Sequence, residues 1–158
     1  MIRPYQPDDC YAIAEIFPRA VHEIACAVYT PEQCHAWTET TPNPEHWRQR
    51  CARKQPFVYE RDGEVVGFLE LDPDGHIDCT YVHPKAAHSG VGTALIQHAV
   101  ATAFARGLDR LHVEASICAK PVFEKQGFRV LYENNVNIRG VDLLNYKMEL
   151  KASDHCIS

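Results

Sequence analysis

Residues 76–93 read HIDCTYVHPKAAHSGVGT, and the rest of the chain is organised around them. Ile77 to Val82 is rich in β-branched and aromatic residues, with His76, Asp78 and Thr80 alternating against Ile77, Cys79 and Tyr81, the pattern of a strand. Pro84 has no amide proton to give a ladder, so pairing is expected to stop near His83. Gly90-Val91-Gly92-Thr93 then opens a run from Ala94 to Arg106 without glycine or proline, a helix. The first amides of a helix lack intrahelical acceptors and carry the positive end of its dipole. With no side chain at 90 and 92, a phosphate could rest directly on them. A Gly-x-Gly pair serves equally well as a plain turn.

Two better-known nucleotide motifs are excluded. A P-loop needs Lys-Ser/Thr after its second glycine, where Thr93-Ala94 stands, which disfavours a nucleotide-dependent phosphotransferase. A dinucleotide fingerprint needs a third glycine, where Leu95 stands. A chain of 158 residues suits one domain with a sizeable core, and a net charge of −5 argues against nucleic acid as a partner. No apolar run reaches the roughly 20 residues of a membrane span, and Met1-Ile2-Arg3-Pro4 begins no signal peptide. The seven cysteines, at 10, 26, 34, 51, 79, 118 and 156, form no Cys-x-x-Cys pair, which suits reduced thiols in a cytoplasm better than a disulfide frame or a zinc site.

Outward toward the N-terminus, Ile2 to Tyr5 reads as a strand. Asp8 or Asp9 then caps an amphipathic helix, with Pro18 expected to kink or break it. Thr30, Pro31 and Gln33 restart a helix with a capping box, carrying Trp37, and Glu45 to Lys54 is a third helix. Phe57–Glu60 and Glu64–Leu71 form a hairpin around Asp62-Gly63. Beyond the glycine-led helix come a strand, Arg110 to Ala115, a short helix, Ala119 to Gln126, and a closing hairpin, Phe128–Val136 with Leu143–Leu150. A helix crossing between two strands usually makes them parallel neighbours, here the strands at 77 and 110. Residues 1–150 form the one expected domain and 151–158 a polar tail.

This order, with Tyr81-Val82-x-Pro84 before Gly90-Val91-Gly92-Thr93-Ala94-Leu95, resembles the GNAT superfamily of acyl-CoA-dependent N-acetyltransferases. Ala119 to Phe128 (AKPVFEKQGF) is similar to that family's Ala-x-x-x-(Phe/Tyr)-Glu-x-x-Gly-Phe helix and turn. Val113 to Pro121, Tyr29 to Gln33 and the ending from Arg139-Gly140 to Met148 resemble its YafP-like branch. The resemblance implies an α/β fold, the GNAT acyl-CoA N-acyltransferase fold: a mixed, mostly antiparallel twisted sheet with helices on both faces. It also implies that the strand before the glycine loop splays from its neighbour, and that acetyl-CoA is the co-substrate, without a metal. Coenzyme A would then meet Tyr81, Val82 and His83 on the strand. The amides of His88, Ser89, Gly90, Val91, Gly92, Thr93 and Ala94 would take the diphosphate, and Ser116, Lys120 and Phe123 would line the other wall. The Val82 amide would donate to the developing oxyanion.

Two departures stand out. The family usually has Gln or Arg where Ala87 stands, so His88 or Lys85 would have to supply the missing donor. The tyrosine that often protonates the leaving thiolate falls at Phe123, whose ring has no proton to give. Direct transfer needs a base for the amine proton. Asp78 is the first candidate and His76 the second, two residues apart on one strand, with Glu114 behind them. An aspartate and a histidine on a strand are also ordinary surface groups. Tyr29 lies between the first two helices, where the resemblance places the acceptor lid, and serves there as acceptor ligand or proton donor, or merely packs beside Pro31. Trp37, Tyr81, Tyr132 and Tyr146 could form an aromatic acceptor pocket or belong to the core. Cys79 and Cys118 flank the expected thioester position; unreactive thiols are the commoner case.

The resemblance thus implies a cytoplasmic N-acetyltransferase acting on a small-molecule or peptide amine by direct attack in a ternary complex. No nucleic-acid or membrane partner is expected, and the closing hairpin is a possible homodimer edge. Ala87 and Phe123 favour the alternative, a GNAT-fold acyl-CoA-binding or sensor module with weakened catalysis.

Overall fold

The computed structural model describes residues 1–154. Seven strands form one sheet in the order β1-β2-β3-β4-β5-β7-β6. β1 (Ile2–Pro4), β2 (Phe57–Arg61), β3 (Glu64–Leu71) and β4 (His76–Val82) run antiparallel, each to the next. β4 meets β5 (Arg110–Ser116) in parallel, across α4 (Val91–Ala105). β6 (Arg129–Ile138) and β7 (Val141–Lys151) close the sheet antiparallel. β7 lies inside, between β5 and β6, an order the hairpin signal does not reveal. Burial explains it: Leu143, Met148, Glu149 and Leu150 of β7 are buried, whereas β6 is mostly exposed. The more apolar strand takes the covered position.

Helices cover both faces. α1 (Cys10–Glu23) and α3 (Pro44–Lys54) pack Ile13, Ile16 and Trp47 against Val58 and Phe68 of the sheet. On the other face α4 and α5 (Lys120–Lys125) bring Leu95, Ile96 and Phe123 against Leu69, Leu111 and Met148. α4 comes so close to β3 that a Cβ on Gly67 would lie 2.8 Å from Val91 Cγ1, so only glycine fits there without a shift. α2 (Pro31–Trp37) starts on the expected capping box: Gln33 N–H donates to Thr30 Oγ1 (3.1 Å) and Thr30 N–H to Gln33 Oε1 (2.9 Å).

Of the kink or break expected at Pro18, the break does not occur. α1 runs unbroken from Cys10 to Glu23, with Pro18 itself buried and Ile16 and Val21 anchoring both sides of it. One lost backbone bond is outweighed by tertiary packing. α4 begins at Val91 with Gly90 as its N-cap, within the glycine-rich start read from the sequence. The tail begins with Lys151 still in β7 and a 3₁₀ turn at Ala152–Asp154, and its last four residues, 155–158, lie outside the described residues.

A β-bulge sets the register of β4. Leu69 pairs with Thr80 but Leu71 pairs with Ile77, so Asp78 and Cys79 together oppose Glu70. Ile77 packs in the α4-side core, whereas Cys79 and Tyr81 pack on the α1–α3 side. The extra residue re-aims the second half of the strand.

Candidate active site

β4 and β5 pair only at His76–His112 and Ile77–Val113 before they part. The gap that follows opens a cleft of about 230 Å³, with β4 residues Thr80 to Val82 as its floor, the start of α4 at one end, and Ser116, Cys118 and Ala119 on the far wall. His83 N–H donates to Val66 O (2.8 Å) across to β3. Alternation along a strand therefore turns the Val82 N–H the other way, into the gap. An extended chain laid in the cleft would find an unpaired strand edge to bond.

At the α4 end Gly90 is the N-cap with φ +88°, a left-handed conformation that favours glycine, and no side chain caps the helix. Gly92 sits beside Val82, whose Cγ2 would be 3.6 Å from an added Cβ. His88, Gly90, Val91, Gly92 and Thr93 all border the cleft. Lys85, one candidate for the donor missing at Ala87, is ion-paired with Glu64. Arg61, at the end of β2, instead reaches this loop and donates from Nη1 to Ser89 Oγ (3.1 Å). No local pattern links Arg61 to residue 89; only the hairpin's position in the folded sheet does.

Beside the cleft lies a lobe of about 200 Å³ walled by Tyr29, Trp37, Tyr81, Ser116 and β7, with Asp78 and Glu114 on its border. Trp37, Tyr81 and Ser116 line both spaces and mark their junction. Trp37 Nε1–H donates to Tyr81 Oη (3.2 Å). Asp78 Oδ2 accepts from Lys54 Nζ (2.8 Å) and Arg50 Nη2 (3.0 Å). Burial pushes the Asp78 carboxyl up, but the two cations outweigh it and hold it below the usual range. Arg50 also forms a two-pronged pair with Glu70, which is fully buried (2.8 and 2.7 Å). Glu114 Oε2 lies 2.6 Å from His76 Nε2 and its Oε1 accepts from Lys147 Nζ (3.0 Å). Burial raises the Glu114 carboxyl, and His76 and Lys147 bring it lower again. Asp72, His76 and Asp78 cluster closely, as do Glu70, Asp78 and Cys79, and Lys54 and Arg50 sit among these acidic groups.

Other residues expected at the site stand differently. The buried Tyr29 hydroxyl donates to Leu144 O (2.6 Å) and accepts from Ile117 N–H (3.0 Å), so it clasps the α1–α2 segment to β7 and to the loop after β5. His83 is buried beside Arg19 (3.0 Å) with its Nδ1 accepting from Lys85 N–H, away from the cleft. Ser89 bonds back to Ala86 O, and Lys120 pairs with Glu124 (3.6 Å) and lies over the Tyr146 ring (5.0 Å). Ala94 lies one turn into α4, its N–H donating to Gly90 O (3.0 Å), so that amide is already taken. Phe123 borders a narrow notch behind the junction. Tyr132 does not join an acceptor pocket: it is 56% exposed on the edge strand β6, and Tyr146 packs toward the α4-side core. Cys79 is pinned by Arg50 (3.4 Å), and burial drives its thiol well above the ordinary value.

A sheet that opens beside a glycine-led helix is a family-level architecture, and a family comparison decides it. Residues 25–150 match the model of the acetyltransferase (GNAT) domain. The chain belongs to the GNAT family. It is 33% identical over 150 residues, 95% of each chain, to the uncharacterized N-acetyltransferase YafP of Escherichia coli K12. It is also 34% identical to the solved GCN5-related N-acetyltransferase from Rhodopseudomonas palustris, with a TM-score of 0.88 covering 96% of this chain and 94% of that one. The structure of YncA from Salmonella typhimurium with its cofactor acetyl-CoA shares the GNAT fold at 20% identity and TM-score 0.73, covering all of this chain and 96% of that one. Among the described residues no helix is long and apolar enough to cross a membrane.

Proposed function

We propose that this GNAT member transfers an acetyl group from acetyl-CoA directly to a primary amine held in the lobe beside the cleft. The observation that carries the reading is the parting of β4 from β5 after Ile77, which leaves the start of α4 and Val82 on one cavity and Asp78 and Glu114 on a second that shares Trp37, Tyr81 and Ser116 with it. Solved relatives of the same fold hold acetyl-CoA or coenzyme A, which supports the choice of donor. The diphosphate rests at 88–93, where the exposed helix start meets Arg61 and His88. The acyl arm runs along β4, and the Val82 amide donates to the acetyl oxygen as it gains charge.

The acceptor enters past Trp37 and Tyr81. Asp78 and Glu114 draw its ammonium form inward, which points to an amine of a small molecule or a peptide. Asp78 Oδ2 holds both cations, which leaves the other oxygen to take the amine proton, directly or through a water. His76, bound to Glu114, stands behind this pair as the onward proton acceptor. Tyr29 acts by position, holding the lobe's outer wall.

The test is thiol release from acetyl-CoA with a panel of primary amines, for the wild type and Asp78→Asn. The variant is expected to lose turnover at neutral pH, keep its acetyl-CoA affinity, and recover partly at higher pH as more amine is already neutral. An unchanged pH–rate profile would remove Asp78 from the chemistry.

A further inference from the structure

Thr80 carries the one buried side-chain oxygen or nitrogen among the described residues that has no hydrogen-bond partner. Buried hydroxyls are nearly always satisfied, so an orphan needs a reason. Its location supplies one. Thr80 faces the main cleft and also the narrow notch of about 60 Å³ shared with Ser116, Ala119 and Phe123. It lies two residues deeper along β4 than Val82 and two short of Asp78, between the cofactor arm and the acceptor lobe. The bulge at Asp78–Cys79 fixes this outcome: it sends Tyr81 to the α1–α3 side and leaves Thr80 on the side that opens between β4 and β5.

Breaking a thioester leaves a sulfur with a negative charge, and that sulfur wants a donor. The ring of Phe123 in the notch has none, and the Tyr29 hydroxyl is committed to Leu144 O. Ser116 Oγ already accepts from Ala119 N–H (3.2 Å) and touches Cys118 Sγ (3.2 Å). Thr80 is the hydroxyl at this place with no partner of either kind, whereas Ser116 Oγ is held by Ala119 N–H and Cys118 and Tyr81 Oη by Trp37 Nε1–H. We infer that the Thr80 hydroxyl donates a hydrogen bond to the coenzyme A sulfur and stabilises the departing thiolate. The inference rests on the proposed function and deepens it. In the step, the amine nitrogen bonds to the acetyl carbon as the carbon–sulfur bond breaks. The amine proton goes to Asp78 or its water, and the electron pair stays on sulfur against the Thr80 hydroxyl until solvent protonates it. A hydroxyl this weakly acidic holds the charge without giving up its proton.

Thr80→Val keeps shape and removes only the hydroxyl. If that group is an orphan in the free protein, the variant melts at the wild-type temperature or above it. Coenzyme A is then compared with desulfo-coenzyme A, which lacks the sulfur, by calorimetry on both proteins. The wild type is expected to prefer coenzyme A, Thr80→Val to lose that preference, and both to bind the desulfo compound alike. Its kcat falls about tenfold to a hundredfold, the effect of one hydrogen bond to a charged acceptor, and Thr80→Ser restores most of it. Equal preference for coenzyme A in the variant and the wild type, or an unchanged kcat, would overturn the inference while leaving the proposed function standing. A lowered melting temperature would also overturn it, since the hydroxyl would then be satisfied within the fold. A wild type that binds neither compound would instead remove the proposed function, and this inference with it.

Discussion

Replacing Arg50 with methionine removes the cation that holds the bulge of β4 together. Glu70, opposite the bulge, has no exposed surface, and both its oxygens accept from Arg50 at 2.7 and 2.8 Å. Without that partner a buried carboxylate is left uncompensated, a loss of about 3–5 kcal/mol. For a domain of this size each kcal/mol corresponds to roughly 2–4 °C, so the melting temperature should fall by about 6–20 °C. Lys54→Met gives the contrast. Its partners Asp72 and Asp78 keep 24% and 34% of their side chains in solvent, so screening limits the loss to about 1 kcal/mol or less. Arg50→Met with Glu70→Met should recover much of the single-variant loss, because two apolar chains replace a pair instead of stranding one charge. Urea unfolding followed by circular dichroism gives all four stabilities. An Arg50→Met protein no less stable than Lys54→Met would refute the buried pair as the clamp on the bulge.

Further outcomes follow from the same geometry. Gly92→Ala should fold normally, since its Cβ meets only Val82 Cγ2 at 3.6 Å, but bind acetyl-CoA more weakly because that Cβ crowds the phosphate, whereas Gly92→Asp places a carboxylate where the diphosphate sits and should abolish measurable acetyl-CoA binding in calorimetry. Tyr29→Phe strands the part-buried Leu144 carbonyl and Ile117 amide, a loss of about 1–3 kcal/mol in urea unfolding. Asp78, whose folded pKa is depressed, contributes stability that is fully present above its unfolded value near 4 and is lost as pH falls through the folded value. The stability gap between wild type and Asp78→Asn should therefore be constant from about pH 5 to 7 and narrow below about pH 4. Burial pushes Cys51 up to about 12 and Cys79 higher than its ordinary range, so both thiols stay protonated, and Cys79→Ala and Cys118→Ala should retain most activity with no acetyl-enzyme in mass spectrometry.

Most of the fold was legible because local signals agreed with one another. Asp62-Gly63 has the two positive φ angles of a tight hairpin turn (52° and 79°), and Thr30 and Gln33 close the expected cap. The failures came where tertiary contacts decide. Pro18 does not break a helix whose flanking residues are buried, and β7 enters the sheet because its apolar face outcompetes that of β6. The glycine-led loop could be read from spacing alone. Arg61 could not, since its contact with Ser89 exists only once β2 is placed. Thr80 escaped for a subtler reason: on an unbroken strand it would share a face with Asp78, and only the bulge turns it to the side that opens between β4 and β5. Tyr29 was visible as a residue at the lid, but its two partners lie 115 and 88 residues away in the chain.

The most direct test is a single titration and turnover series: acetyl-CoA added to the wild type and to Gly92→Asp, first alone and then with the amine panel. The account predicts that the wild type binds acetyl-CoA, releases no thiol by itself, and releases one equivalent per acetylated amine once an acceptor is present, while Gly92→Asp does neither. A wild type that binds acetyl-CoA yet transfers to no amine in the panel would contradict transfer and leave an acyl-CoA-binding module. Binding unaffected by Gly92→Asp would contradict the cleft itself.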